Sequence, residues 1–204
     1  MKELSAMVRE MDELENAKLK ERNAKQKLYW LDIETTGLYP QRDKILEVAV
    51  AVADIDNPFE IVRIYNRVIH FPASDVSKLD PFIIEMHTRN GLLEECTTSL
   101  DATIIPIVET HLLELIGPTN QERKPILAGS SVHFDHEFLN HHAPRLAHLF
   151  SHRHFDVSAL KLFCKSKGMS SIEGTGAHRA WDDIEESVEH AIACDAWLKE
   201  HYGK

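Results

Sequence analysis

The distribution of apolar residues predicts that the first part of the folded domain consists of strands. Residues 27–34 are rich in aromatic and β-branched side chains and end at Thr35-Thr36-Gly37, which indicates a strand and a turn. Residues 45–54 are apolar enough for a central strand, and residues 59–70 alternate well enough for a third. Because the segments that link these strands are short, we expect antiparallel hairpins.

From Pro81 onwards the pattern becomes mainly helical, with two short strands between the helices. The predicted helices cover about residues 81–86, 91–95, 100–116, 135–142 and 158–167. The predicted short strands cover residues 125–129 and 153–157. A final helix follows a loop with Gly174-Thr175-Gly176, and its apolar stripe consists of Ile184, Val188, Ala191, Ile192 and Leu198. This order predicts an α/β fold, a mixed five-stranded sheet flanked by helices, which resembles ribonuclease H.

The first 27 residues differ in composition from the rest of the chain. They contain no Gly or Pro, and Leu4, Met7, Met11 and Leu14 follow a 3-4-3 spacing. We therefore expect an N-terminal helical extension over residues 1–27, ahead of a single domain over residues 28–204. The extension packs on the domain, pairs with a second copy or is partly disordered, and the sequence leaves these three alternatives open.

Charge and composition narrow the classes of partner. The chain of 204 residues has 23 Lys and Arg against 33 Asp and Glu, a net charge of −10. This balance argues against binding along a long polyanion, yet it permits a short phosphate ligand held by a few cations and metal ions.

We expect no membrane segment, because no apolar run approaches the roughly 20 residues that a spanning helix needs. Three scattered cysteines without a Cys-x-x-Cys pair indicate a reducing compartment, so we expect a cytoplasmic protein.

Two acidic residues lie close together on the first predicted strand. Asp32 and Glu34 are two positions apart, so their side chains leave the same face of the strand. Buried charges cost several kcal/mol unless they are paired or bind a metal. The pair alone also fits a solvated strand end.

Further candidate residues lie in the middle and near the end of the chain. Asp135 lies at the start of a helix that follows a strand, where it could simply be an N-cap. His178 lies in a loop, and Asp183, five residues on, lies in the first turns of the last helix. We interpret the neighbouring Asp182 as a helix-start charge that favours the dipole.

The whole set, in this order, resembles the DEDD-type 3′-to-5′ exonucleases of the histidine subtype. Four carboxylates suit two divalent cations about 3.5–4 Å apart, which clamp the attacking and leaving oxygens of a displacement at phosphorus. Mg²⁺ and Mn²⁺ prefer such oxygen ligands. The resemblance implies that His178 is the general base, because histidine titrates near neutrality. The metal ligands that it implies for two Mg²⁺ or Mn²⁺ ions are Asp32, Glu34, Asp135 and Asp183.

Within that group the chain is similar to the oligoribonucleases from about Leu28 onwards. The matching stretches are residues 30–38, 87–88, 91–92, 128–132, 153, 156–158 and 178–187. The resemblance implies that Leu38 wedges against the terminal bases and that Phe82 stacks on a base, where the family usually has tryptophan. It also implies a set of residues around the phosphates and the 5′ end of the substrate, which would explain a preference for short chains. These residues are His87, Ser131, Arg153 and Ser158.

The resemblance further implies a homodimer. Oligoribonucleases usually place a tyrosine beside the arginine, at a position reached from the partner subunit, and this chain has His152 there, next to Arg153. The expected function is therefore 3′-to-5′ degradation of short single-stranded RNA to mononucleotides. One alternative is the same chemistry on longer RNA or DNA, as in ribonuclease T or proofreading exonucleases. A second alternative is an inactive nucleic-acid-binding module.

Overall fold

The computed structural model describes residues 26–119 and 123–203, so the predicted N-terminal helix lies outside the described residues. Five strands form one sheet. They are β1 (Lys27–Thr35), β2 (Ile45–Asp54), β3 (Arg63–Val68), β4 (Ile126–Gly129) and β5 (His154–Asp156). The order in the sheet is β3-β2-β1-β4-β5, with β1, β2 and β3 antiparallel and β1, β4 and β5 parallel. The mixed five-stranded sheet predicted from the sequence is confirmed.

Helices cover both faces of this sheet. They are α1 (Pro81–Arg89), α2 (Leu92–Thr98), α3 (Ile105–Ile116), α4 (His133–His142), α5 (Pro144–Ala147), α6 (Val157–Ser166) and α7 (Ala180–Tyr202). A short 3-10 helix covers Ala73–Lys78. Helices α3, α4 and α5 bury side chains on one face of the sheet, through Leu112, Phe138 and Leu146. Helices α6 and α7 cover the other face, through Val157 and Ile184.

The alternation of β1 decides which layer each of its side chains enters. Tyr29, Leu31 and Ile33 belong to the core beneath α3, α4 and α5. Leu28 and Trp30 point the other way, into the core beneath α6 and α7. Because successive side chains of a strand alternate between the two faces, the next even-numbered positions, 32 and 34, extend the α7 side. The two acidic residues of β1 therefore face the helix that carries the last predicted site residue.

Several predicted boundaries and orientations were wrong. The third strand covers Arg63–Val68 and not residues 59–70. Helix α3 begins at Ile105 and not at residue 100, because Thr103 forms a parallel bridge with Ile69 that keeps this segment extended. On α7, Ile192 is exposed, whereas Cys194 is buried. The predicted stripe placed residue 192 in the core, but the helix buries a face rotated toward residues 187, 190 and 194.

The first strand, the cysteines and the helix lengths relate to the remaining expectations from the sequence. Strand β1 begins at Lys27, next to the predicted start of the domain, and Lys27 forms an ion pair with Asp54 on β2. The cysteines Cys96, Cys164 and Cys194 are buried free thiols. None of the helices in the described part of the chain is both long and apolar enough to cross a membrane.

Candidate active site

The candidate site lies at the edge of the sheet where its parallel strands end. Strands β1, β4 and β5 run in the same direction, so their carboxyl ends meet there. Open α/β sheets usually bind ligands beyond such strand ends. Asp32 and Glu34 lie at the end of β1, Ser131 follows β4, and Asp156 ends β5.

Asp135 is held against the end of β1 by a backbone hydrogen bond. The pairing of β1 with β4 ends at Trp30 and Ala128, which leaves the later N–H groups of β1 without a strand partner on that side. The chain turns away at Gly129, where a β-carbon would lie only 2.8 Å from the carbonyl oxygen of Leu31. Helix α4 then begins, and Oδ1 of Asp135 accepts a hydrogen bond of 3.1 Å from the backbone N–H of Ile33. This bond places Asp135 beside the two acidic positions of β1.

Helix α7 brings the next residues to the same edge. Its first turn contains Asp183, and the following residue, Ile184, is buried against the β1 face that carries Trp30. Glu34, His178 and Asp183 each offer a ligand atom, and these atoms all lie within 4.8 Å of one another. Among the described residues, they form a group that could hold a metal ion. Asp182 is exposed, as the sequence predicts.

The electrostatics of the cluster favour a cation. Burial raises the pKa of Glu34 to about 8, and the carboxylate of Asp183 adds to this shift. Burial, followed by repulsion from Asp135 and Glu34, raises the pKa of Asp32 well above its usual value. Burial also raises the pKa of Asp135 and of Asp183. Burial and mutual repulsion disfavour the ionised form of these four carboxyl groups. A bound divalent cation would offset that repulsion and stabilise the carboxylates, so these residues fit a metal site.

The loop before α7 is anchored to that helix. The sequence indicates a flexible segment at Gly174-Thr175-Gly176, but both the backbone N–H and the hydroxyl of Thr175 donate to Oε2 of Glu186. The same carboxylate closes the space at Gly174, where a β-carbon would lie 2.4 Å from its Oε1. Glu186 therefore fixes the approach to His178, in contrast to the predicted flexibility.

His87 does not lie at the surface, where a contact with a substrate phosphate was expected. Its side chain is 0% exposed. Its Nε2 lies 3.2 Å from the carbonyl oxygen of Thr35 and 3.9 Å from Oε2 of Glu34. Burial lowers the pKa of His87, which favours the neutral ring. The structure therefore buries His87 at the end of β1, beside Thr35 and Glu34.

The serines predicted near the substrate phosphates do lie together. The hydroxyl groups of Ser131 and Ser158 are 3.0 Å apart. Asp156 joins the two segments that carry these serines, since its Oδ1 accepts hydrogen bonds from the N–H groups of Ser131, at 3.3 Å, and Ala159, at 3.1 Å. Ser131 has a φ of 56°, in the left-handed region that non-glycine residues rarely adopt. Asp156 thus holds the start of α6 and the turn after β4 in one arrangement.

The remaining predicted substrate residues are exposed. Leu38 is 72% exposed and Phe82 is 66% exposed. Arg153 is exposed as well, and its backbone N–H donates to the hydroxyl of Ser151. His152 is also exposed. These side chains are available to a ligand or a second subunit.

Sequence reasoning missed a group of polar residues behind His178. Glu47 is fully buried on β2, where it accepts hydrogen bonds from the guanidinium of Arg179 and from the N–H of Ala180. Asn90, at the end of α1, donates to carbonyl oxygens of the His178 loop. One signal was available, because a single Glu in the otherwise apolar stretch of β2 requires a buried partner.

Comparison with known proteins gives the class and the family of this chain. A family model described as Exonuclease, of the RNase_T type, matches residues 29–190. The oligoribonuclease of Haemophilus ducreyi is 33% identical over 184 residues, which are 89% of this chain and 97% of that protein. The oligoribonuclease of Neisseria meningitidis serogroup C is 34% identical over 169 residues, covering 81% of this chain and 88% of that protein. The chain belongs to the oligoribonucleases of the DEDD exonuclease family, which depends on divalent metal ions.

A structural comparison gives the same fold. The structure of Escherichia coli exonuclease I with a dT13 oligonucleotide matches with a TM-score of 0.63 over 86% of this chain, at 15% identity. The chain spans 42% of the length of that protein. At this identity, the likeness shows the fold alone and supports the ribonuclease H-like sheet predicted from the sequence.

Proposed function

We propose that this chain is a 3′-to-5′ exoribonuclease that degrades short oligoribonucleotides to mononucleotides. One observation carries the proposal: Glu34, His178 and Asp183, from opposite ends of the chain, have ligand atoms within 4.8 Å of one another. In such a cluster the carboxylates provide metal ligands, and the histidine provides a proton acceptor. The names of the relatives, oligoribonucleases from several bacteria, support short RNA as the substrate.

The four carboxylates of the cluster are the proposed metal ligands, namely Asp32, Glu34, Asp135 and Asp183. Two Mg²⁺ or Mn²⁺ ions, when bound, would stabilise the charge on the attacking and leaving oxygens at the scissile phosphate. The oxygen-only character of the carboxylates favours these hard ions. One carboxylate oxygen of Asp135 accepts from the Ile33 N–H, so the orientation of this carboxylate does not depend on the ion.

His178 is the proposed general base. It lies at the open side of the cluster, within reach of Glu34 and Asp183, and it is partly exposed. A neutral imidazole nitrogen can accept the proton of a water molecule that attacks phosphorus, and the charged ring that results is stabilised by the neighbouring carboxylates. The carboxyl groups cannot take this role as effectively while they hold cations.

The exposed residues around the cluster are the proposed substrate contacts. Leu38 and Phe82 would contact the bases, since stacking and wedging tolerate any base sequence. Ser131 and Ser158 present adjacent hydroxyl groups, which with Arg153 would hold the 5′ end. Because His87 is buried against Thr35, we assign it to holding the end of β1 and not to direct phosphate contact.

The assembly and location belong to the same proposal. We propose a homodimer in which His152 of one subunit approaches the substrate end of the other, because this exposed residue lies beside Arg153. We also propose a cytoplasmic location, which the three buried free thiols support.

Digestion of end-labelled RNAs of two to twenty nucleotides with Mg²⁺ tests this function. We expect kcat/KM to be highest at two to five nucleotides and to fall steeply beyond, because a closed 5′ end excludes a continuing strand and the chain's net charge of −10 repels a long one. Since His152 replaces the family's tyrosine, the cutoff is expected to be softer than that of a strict dinucleotidase. Equal efficiency on a dinucleotide and a twenty-mer would favour the alternative of an exonuclease for longer strands. An absence of products would favour a binding module.

A further inference from the structure

The backbone at His178 has a conformation that needs support. Its φ is 52°, in the left-handed region, which costs a non-glycine residue about 1 kcal/mol or more. His178 belongs to the coil that leads into α7, so the hydrogen bonds of a regular element do not hold it. Such a conformation persists only where the surrounding structure imposes it.

Asn90 supplies two of the contacts that impose it. Its side-chain Nδ2 donates to the carbonyl oxygen of Ala177, at 3.3 Å, and to that of His178. Its Oδ1 accepts a hydrogen bond of 3.1 Å from the N–H of Leu92 at the start of α2. The side chain of Asn90 therefore connects the carbonyl groups of Ala177 and His178 to the junction of α1 and α2.

Arg179 fixes the same loop from the other side. Its guanidinium donates to both oxygens of Glu47, each at 3.0 Å, and to Glu95 at 2.9 Å. It also donates to the backbone carbonyl of Asn90 at 3.4 Å. Because Glu47 is fully buried and also accepts from the N–H of Ala180, both residues that follow His178 are attached to the centre of the sheet.

We propose that Asn90 and Arg179 are positioning residues that hold the imidazole of His178 against Glu34 and Asp183. Neither side chain is assigned a contact with substrate; both act through the backbone of the histidine. The inference rests on the proposed function, because it assumes that His178 takes part in the reaction. A displacement of about 1 Å in a reacting group can reduce a rate by about 100-fold, so a clamp on this backbone has a measurable effect.

Asn90→Asp is the most specific variant. The substitution keeps the size and the Oδ1 acceptor for Leu92, but it replaces the donor Nδ2 with an oxygen that repels the two loop carbonyls. We expect kcat on a dinucleotide to fall roughly 10- to 100-fold and KM to change less than about twofold. Arg179 is less suitable, because its removal leaves the buried Glu47 without its charged partner and endangers folding.

A matched control shows whether an effect of Asn90→Asp comes from its position or from the added negative charge alone. Asn57→Asp introduces the same charge on an exposed residue after β2, and the pairing of Lys27 with Asp54 places that end of the sheet opposite to Glu34. We expect unchanged kcat and KM for this variant, and equal melting temperatures for the two variants within about 3 °C.

A double-mutant cycle with His178→Ala shows whether Asn90 acts through the histidine. In the His178→Ala background, Asn90→Asp should slow the residual rate less than about twofold. An equal slowing in both backgrounds would mean a general structural effect and would overturn the proposal, as would normal turnover of the single variant.

NMR provides a reading that does not depend on activity. The backbone chemical shifts of His178 should report the left-handed conformation in the unsubstituted protein and a shift toward extended values in Asn90→Asp. Unchanged shifts would overturn the proposal even if no oligonucleotide were hydrolysed. Failure to hydrolyse any oligonucleotide, with the expected NMR change, would instead refute the proposed function alone.

Discussion

Oδ1 of Asp135 lies 3.1 Å from the backbone N–H of Ile33, although the two residues are 102 positions apart in the chain. The N–H belongs to β1 between Asp32 and Glu34, so one hydrogen bond sets the distance between α4 and both acidic residues. It occupies one carboxylate oxygen of Asp135 and leaves the other for a cation. The geometry of the cluster thus depends on the backbone of β1 as well as on side chains.

Asp135→Asn should therefore reduce turnover without destabilising the fold. The amide oxygen of Asn can accept the same bond from Ile33, but the variant lacks the negative charge that a metal ion requires. We expect turnover to fall about 100-fold or more, because metal ions supply several kcal/mol of charge stabilisation. The melting temperature without metal should be unchanged or higher, because burial disfavours the Asp135 anion. Turnover at limiting Mg²⁺ and thermal unfolding are the measurements.

Glu137→Gln is the matched control for this prediction, because Glu137 is an exposed acid on the same helix. It should retain full turnover. Near-normal activity of Asp135→Asn at limiting Mg²⁺ would remove Asp135 from the proposed ligands.

His178→Ala should lower the rate by roughly 10²–10⁴, the usual range for a positioned general base. The pH–rate profile should also change, because the variant lacks the proposed proton acceptor. Metal affinity, measured by calorimetry, should be largely kept. Since Glu34, His178 and Asp183 lie within 4.8 Å of one another, a collapse of affinity would identify the histidine as a ligand and refute the assignment.

Arg153→Ala should affect short substrates selectively. We expect kcat/KM on a dinucleotide to fall roughly 10- to 100-fold, the value of a charge-assisted hydrogen bond, and to change little on a ten-mer. Arg67→Ala, at an exposed position of the edge strand β3, should behave like the unsubstituted protein. Equal losses on both lengths would argue against a contact with the 5′ end.

Stability without metal should decrease as the pH rises. The folded protein raises the pKa of Glu34 from 4.5 to about 8, so it binds a proton in this range that the unfolded chain has released. The contribution of the Glu34 proton to the free energy of unfolding is therefore complete below about pH 4.5, and it is lost as the pH approaches 8. We expect the melting temperature in a chelator to fall by roughly 5 °C or more over this window.

Divalent cations should reverse this trend. Because they bind the ionised carboxylates, Mg²⁺ should raise the melting temperature more at pH 8 than at pH 5. Glu34→Gln should show a smaller pH dependence and a smaller effect of Mg²⁺. A melting temperature without metal that is constant from pH 5 to 8 would contradict the raised pKa.

Deleting residues 1–25 should test the origin of the proposed homodimer. The deletion keeps Gln26, whose side chain donates to the carbonyl of Lys124, and Lys27, which pairs with Asp54. A dimer formed by the folded domain should survive in sedimentation experiments and remain active. An active monomer of the full chain at micromolar concentration would refute the proposal that a partner completes the site.

The sequence predicts the strands and the acidic residues of the site because both depend on local patterns. The mainly apolar stretch Ile45–Asp54 is a central strand, and the spacing of Asp32 and Glu34 places them on one face without any knowledge of the tertiary structure. The strand–helix alternation after Pro125 and the motif resemblance together predict which distant residues meet. The structure and the comparisons confirm the fold and the family.

The sequence does not predict contacts that have no local periodicity. The ion pair of Arg179 and Glu47 joins residues 132 positions apart, and the bonds of Asn90 to the His178 loop span 87 and 88. The burial of His87 likewise depends on its contact with Thr35, 52 positions away, which a helical pattern alone cannot reveal. Tertiary packing decides these positions.

Helix α7 closes the cluster with Asp183, and it is the last of the described elements to be synthesised. A nascent chain that lacks this helix lacks Asp183, one of the proposed metal ligands, so we expect no nuclease activity while it is still being translated. Proteolytic removal of the same helix would inactivate the mature protein by one cleavage.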